Sequence, residues 1–88
     1  MAIKHIETSS GFAWDIDDVV LDDAEILDCL ADIEGGNKLS FVPLLRKVLS
    51  PQGKKALYDH LRTEDGRVPY ADLDRETTEI FHALGAKN

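Results

Sequence analysis

Apolar and polar positions alternate at period two only near the start of the chain. There Phe12-Ala13-Trp14-Asp15-Ile16-Asp17 sets three bulky side chains against small or acidic ones, the spacing of a strand with one buried face. Residues Ala2 to Glu7 are β-tolerant, and Thr8-Ser9-Ser10-Gly11 between the two stretches is a turn cluster. The pattern predicts a β-hairpin over residues 1–17 with Phe12, Trp14 and Ile16 turned inward. Because a lone hairpin is marginal in water, it must lie against helices, with Trp14 as a core anchor rather than a ligand platform.

Beyond Asp17 the period becomes helical. Asp22 is suited to cap a first helix, with Glu25 three residues later completing a capping box and Leu21 packing on Ile26 as a hydrophobic staple. That helix is expected over about Asp23 to Glu34, on a stripe of Ile26, Leu27, Leu30 and Ile33 stopped by Gly35-Gly36. Asn37 or Ser40 can cap a second helix in which Pro43 falls in the first turn, and Phe41, Leu44, Leu45, Val48 and Leu49 form its apolar face. Ser50-Pro51 reads as a cap followed by proline at the first helical position, so a third helix begins at once in a new direction and runs to about Arg62, burying Leu57 and Leu61. Thr63-Glu64-Asp65-Gly66 reverses the chain. A last helix follows on Leu73, Thr77, Ile80, Phe81 and Leu84, one continuous face that Gly85 terminates.

The expected fold is α+β and mostly α. It is a single domain over 1–88, with the hairpin at 1–17, about four short helices over 22–85 and a frayed tail at 86–88. Phe12, Trp14, Ile16, Leu27, Leu30, Leu45, Leu49, Leu57, Leu61, Phe81 and Leu84 are expected in or bordering the core.

Composition narrows the function classes. A chain of 88 residues supports one core, and no apolar run approaches the roughly 20 residues that a spanning helix requires. The opening MAIKHIETSS lacks the apolar stretch of a secretory signal, so a cytoplasmic setting is expected. The lone Cys29 can form neither an internal disulfide nor a metal cluster, and carboxylates around it disfavour a thiolate nucleophile.

The net charge of −7 is unevenly spread: residues 1–34 carry ten carboxylates and one lysine, and residues 35–62 six basic side chains and one aspartate. Such a division implies complementarity within the chain or a surface that steers a partner. Asp15, Asp17, Asp18, Asp22 and Asp23 suggest a calcium loop, but that register puts Val20 where glycine is required and Ile26 where a bidentate glutamate is required, so no metal site is expected. Arg46, Lys47, Lys54 and Lys55 are the basic cluster, without the interleaved aromatics of a single-strand binder, and nucleic acid is an unfavoured partner. His5, His60 and His82 have neither metal-ligand spacing nor an evident serine or cysteine partner, and no titratable pair has a catalytic spacing. No cofactor is implied.

A resemblance runs along nearly the full chain. The phrases Ser10-Gly11-Phe12, then Val20-Leu21-Asp22-Asp23-Ala24-Glu25-Ile26-Leu27, then Leu44-Leu45-Arg46-Lys47-Val48-Leu49, then Leu61-Arg62-Thr63-Glu64-Asp65-Gly66-Arg67-Val68, and Glu79-Ile80-Phe81 before Leu84-Gly85, occur in an order that resembles tail assembly chaperones of long-tailed phages and prophages of Gram-positive bacteria. His60 to Val68 is the most specific phrase, and Pro69 departs from the small polar cap expected at the start of the last helix.

The resemblance implies a non-enzymatic protein that binds the tape measure protein, keeps its apolar helices soluble in the host cytoplasm, self-associates and is absent from the mature virion. It also implies a possible contact with the tail-tube protein and a frameshifted longer product, of which this would be the short form. Arg46, Lys47, Lys54 and Lys55 are the expected rim of the client surface, around a groove between the second and third helices. The alternatives are a structural tail or connector component of the virion and a small acidic regulatory protein that covers a basic partner.

Overall fold

The computed structural model describes residues 2–85. An antiparallel hairpin of β1 (Ile3–Glu7) and β2 (Ala13–Asp17) is followed by three helices, α1 (Ala24–Glu34), α2 (Phe41–Leu61) and α3 (Tyr70–Ala83), making an α+β fold that is mostly helical. The expected frayed tail at 86–88 lies outside the described residues.

Register in the hairpin decides which face is buried. Pairing of Ile6 with Trp14 and of Lys4 with Ile16 puts these four on one face, and Ile6 and Ile16 are buried while Trp14 is half-buried. Lys4 shares that face because its ammonium reaches across to the Leu84 carbonyl at 3.1 Å, supplying a donor to the end of α3. On the outer face His5 meets Asp15 at 2.7 Å. Gly11, at φ 94, closes the turn, in which the Thr8 amide donates to the Phe12 carbonyl at 2.9 Å.

The cap of α1 lies one residue later than the sequence pattern suggested. Asp22 ends a short 3-10 turn over Asp18–Leu21, its amide donating to Val19, so Asp23 takes the extended cap conformation and accepts the Glu25 amide at 2.9 Å. Glu25 makes no capping box; its carboxylate turns to Lys47 instead. The core list needs one correction as well. Leu27 is 62% exposed, because α1 turns Ile26, Cys29, Leu30 and Ile33 inward and Leu27 lies about 100° round the helix from Ile26.

Helix α2 is broken where expected. Ser50 leaves the helical region (φ 71, ψ 164), which separates segments 41–49 and 51–61. Pro51 has no amide to donate, and the Gly53 amide turns to Ser50 Oγ at 3.3 Å, so the first segment loses donors at its end. The indole of Trp14 replaces one of them, donating to the Leu49 carbonyl at 3.1 Å. Gly53 makes the approach possible: a β-carbon there would stand 2.7 Å from the Trp14 ring and 2.8 Å from Leu49 Cβ.

A positive φ at a serine is a local cost that glycine would not incur, and glycine replaces serine at a helix cap with a loss of only a few tenths of a kcal/mol. Ser50→Gly is therefore expected to raise stability by up to about 1 kcal/mol, seen as a higher urea midpoint at an unchanged slope.

Helix α3 starts at Tyr70, directly after Pro69, with no side-chain cap. Leu73, Thr77, Ile80, Phe81 and Leu84 are buried as its spacing required, together with Leu44, Leu45, Leu49 and Leu57 of α2. Glu76, a carboxylate that the apolar pattern passed over, is also fully buried on that face.

Candidate functional site

The four cations expected to rim a groove are dispersed in their commitments. Lys47 is held against α1, 2.7 Å from Asp23 and 2.5 Å from Glu25. Those hydrogen bonds, Asp23 first, push the Lys47 ammonium up to about 12. In return the Lys47 hydrogen bond, with help from the Glu25 amide, holds Asp23 below its ordinary value. Lys55 pairs with Asp59 at 2.8 Å along the helix, and Asp59 also accepts from Arg62 at 3.2 Å. Lys54 lies over the Tyr58 ring, 4.4 Å from its centroid. Arg46 is exposed and, among the described residues, has no ion-pair partner.

The aliphatics between these cations face inward. Leu44, Leu45, Val48, Leu49 and Leu57 are all buried in the protein's own core. What reaches solvent near the break is the half-buried Trp14 and Tyr58, beside Lys54. The larger exposed apolar side chains lie elsewhere, at Ile3, Val19, Leu27, Leu39, Val42 and Tyr70.

A second cluster joins the hairpin tip to two helices. Thr8 Oγ1 donates to the buried Glu76 at 2.6 Å, and the Ser9 amide and hydroxyl donate to Glu79 at 2.8 and 2.9 Å. These two Ser9 bonds hold Glu79 below its ordinary value. From α2, His60 Nε2 stands 3.1 Å from Ser10 Oγ and 3.2 Å from the Ser10 carbonyl, with its ring tilted on Phe12. Spacing along the chain offers His60 no serine partner. Ser10 is fifty residues away, and only the docking of the hairpin on α2 brings the two together.

Proton directions in this cluster can be assigned from the network. The Thr8 hydroxyl hydrogen is donated to Glu76, so across the 3.2 Å contact to Ser10 Oγ the serine is the donor. The Ser10 carbonyl can only accept. Both partners of His60 Nε2 thus require a proton on that nitrogen, which makes His60 a donor to Ser10 rather than a base for its hydroxyl. Among the described residues no buried side-chain polar atom is left unpartnered.

Cys29 is half-buried, and its thiol is pushed up by burial and by Asp32, Asp28 and Glu25. Among the described residues no three histidine, cysteine or carboxylate side chains converge as metal ligands, and no helix is long and apolar enough to cross a membrane. No protein-family model, no curated protein and no solved structure matches the chain.

Proposed function

We propose that this protein is a non-catalytic tail assembly chaperone that binds the tape measure protein and keeps its apolar helices soluble in the host cytoplasm, without remaining in the finished virion. The observation that carries this reading is the ordered succession of phrases from Ser10-Gly11-Phe12 to Leu84-Gly85 along nearly the whole chain. The donor role of His60 toward Ser10 supports a non-enzymatic role, since it makes that serine–histidine contact a clamp on the hairpin.

The client is expected to bind as an amphipathic helix laid on an apolar strip. Because the α2 aliphatics are spent on the core, the strip is the break itself. There the half-buried Trp14 lies against Leu49 and Gly53, and further along α2 Lys54 overhangs the half-buried Tyr58; Lys47 stays with α1.

Co-expression with a tape measure protein encoded beside this gene tests the proposal. The client should become soluble and co-purify, while mature particles lack the small chain. Unchanged client solubility, with the small chain retained in particles, would instead make it a structural tail component.

A further inference from the structure

Burial is uneven along the chain. Among the described residues the stretch from Asp17 to Leu39 stands apart, because Ile26 is its one buried side chain, whereas α2 buries Leu44, Leu45, Leu49 and Leu57 and α3 buries Leu73, Glu76, Ile80 and Phe81. Helix α1 lies in the middle of that stretch and adds the half-buried Cys29, Leu30 and Ile33 to the core. Polar ties hold its two ends to α2. Lys47 reaches Asp23 at 2.7 Å and Glu25 at 2.5 Å, and the Ser40 hydroxyl donates to Asp32 at 3.1 Å, so α1 runs antiparallel along α2. Exposed ion pairs contribute little to stability, and the Glu25 side chain is 78% exposed. The connections on either side offer pivots. The 3-10 turn Asp18–Leu21 buries no side chain, and Gly35 and Gly36, the latter at φ 101, lead into the exposed Asn37, Lys38 and Leu39. A segment with so little buried apolar surface between two such connections opens locally at a lower free energy than the core.

We infer that the face of α2 beneath α1 is a docking surface for an amphipathic helix of another protein with an acidic start, and that α1 is a displaceable stand-in for that helix. The contacts of α1 define what the face accepts. Ser40, Leu44, Lys47 and Val48 recur at helical spacing and so share that face. Leu44 and Val48 are buried, Lys47 supplies a cation at one end and Ser40 a hydroxyl donor at the other. An incoming helix therefore carries carboxylates at its start for Lys47, aliphatic side chains at helical spacing for Leu44 and Val48, and an acceptor about two and a half turns on for Ser40. Asp23, Glu25, Ile26 and Asp32 are these groups in α1. Because opening forfeits the contacts of α1, a partner binds only as far as its own contacts exceed them. The inference does not rest on the tail-assembly reading, since α1 itself defines the occupant, and its surface precedes the break at Ser50.

Two variants that both loosen α1 test it. Asp23→Asn with Glu25→Gln removes the carboxylates but keeps a helix cap and leaves Lys47 free; Lys47→Met removes the cation. Hydrogen exchange of the full chain should show the hydrogen-bonded amides of α1 at least about tenfold less protected than those of α2 and α3, and less protected again in both variants. The probe for docking is a fluorescent peptide with the sequence of residues 22–37, blocked at both ends, which carries the acidic start. Fluorescence anisotropy should show saturable binding to the Asp23→Asn, Glu25→Gln chain and at least about tenfold weaker binding to Lys47→Met. Affinity should also fall when the peptide itself carries Asp23→Asn and Glu25→Gln. Equal affinity of the two protein variants overturns the inference, as does the absence of saturable binding or an α1 as well protected as α2. A variant that forms dimers and ignores the peptide has exchanged α1 between copies, which overturns the foreign occupant.

Discussion

Trp14→Ala should cost about 3–5 kcal/mol of folding stability, the range for removing a large aromatic from a packed site, although the residue is only partly buried. Three losses coincide there. The ring fills the space that Gly53 leaves beside α2, it stacks nearly parallel on Phe12 with centroids 6.2 Å apart, and its N–H supplies the donor that the break at Ser50 takes from the Leu49 carbonyl. In a domain whose total stability is of order 5–15 kcal/mol, such a loss is a large share of the whole. Trp14→Phe separates the terms. It keeps most of the packing and removes the donor, so it should cost about 1–3 kcal/mol, the penalty for a polar group left unsatisfied. Urea titrations followed by circular dichroism measure both variants. Equal losses from the two would show that packing against Gly53 contributes nothing, and a Trp14→Phe variant as stable as the natural chain would remove the indole N–H as the brace of the break.

The same corner shows what could be read from the sequence and what could not. Period-two alternation identified Phe12, Trp14 and Ile16, and Ser50-Pro51 located the break, because each rests on local geometry: strand pleat in one case, proline's fixed φ and missing amide in the other. That the indole would cap the broken helix depends on β2 crossing α2, a contact between residues 35 positions apart, and no local pattern carries it. Leu27 was misread for a related reason. Ile26 and Leu27 are equally apolar, and only the direction from which α2 approaches α1 decides which of two adjacent residues is covered.

Buried Glu76 and the Ser10–His60 contact were illegible in the sequence too. Glu76 falls on the apolar face of α3 but is acidic, so hydropathy excludes it, and its burial is tolerable because the Thr8 hydroxyl arrives from the opposite end of the chain at one oxygen while Arg75 approaches the other. The basic cluster was legible as charge but not as surface. Lys47 and Lys55 turned out to be neutralised by Asp23 and Glu25 and by Asp59, which leaves Arg46 and Lys54 as the cations of that cluster free of carboxylates.

The density of aliphatics along α2 leads to the other large expected effect, and it decides whether that density is core or client surface. Leu45 is fully buried, as are Leu44 and Leu57, so Leu45→Ala should destabilise the fold by about 2–5 kcal/mol through lost burial and a residual cavity. For a domain of 60–100 residues each kcal/mol shifts the melting temperature by about 4–8 °C, so a fall of at least about 8 °C is expected. Leu39→Ala, at a position 79% exposed, should leave stability within about 0.5 kcal/mol, as for surface changes generally. The opposite pattern would contradict the burial of the α2 stripe and return it to solvent as a groove. With the expected pattern, a Leu45 variant that loses its client does so by unfolding. Binding experiments then have to be made at Arg46 and Lys54, where substitutions such as Lys54→Glu leave the core untouched and a loss of client binding can be assigned to the surface itself.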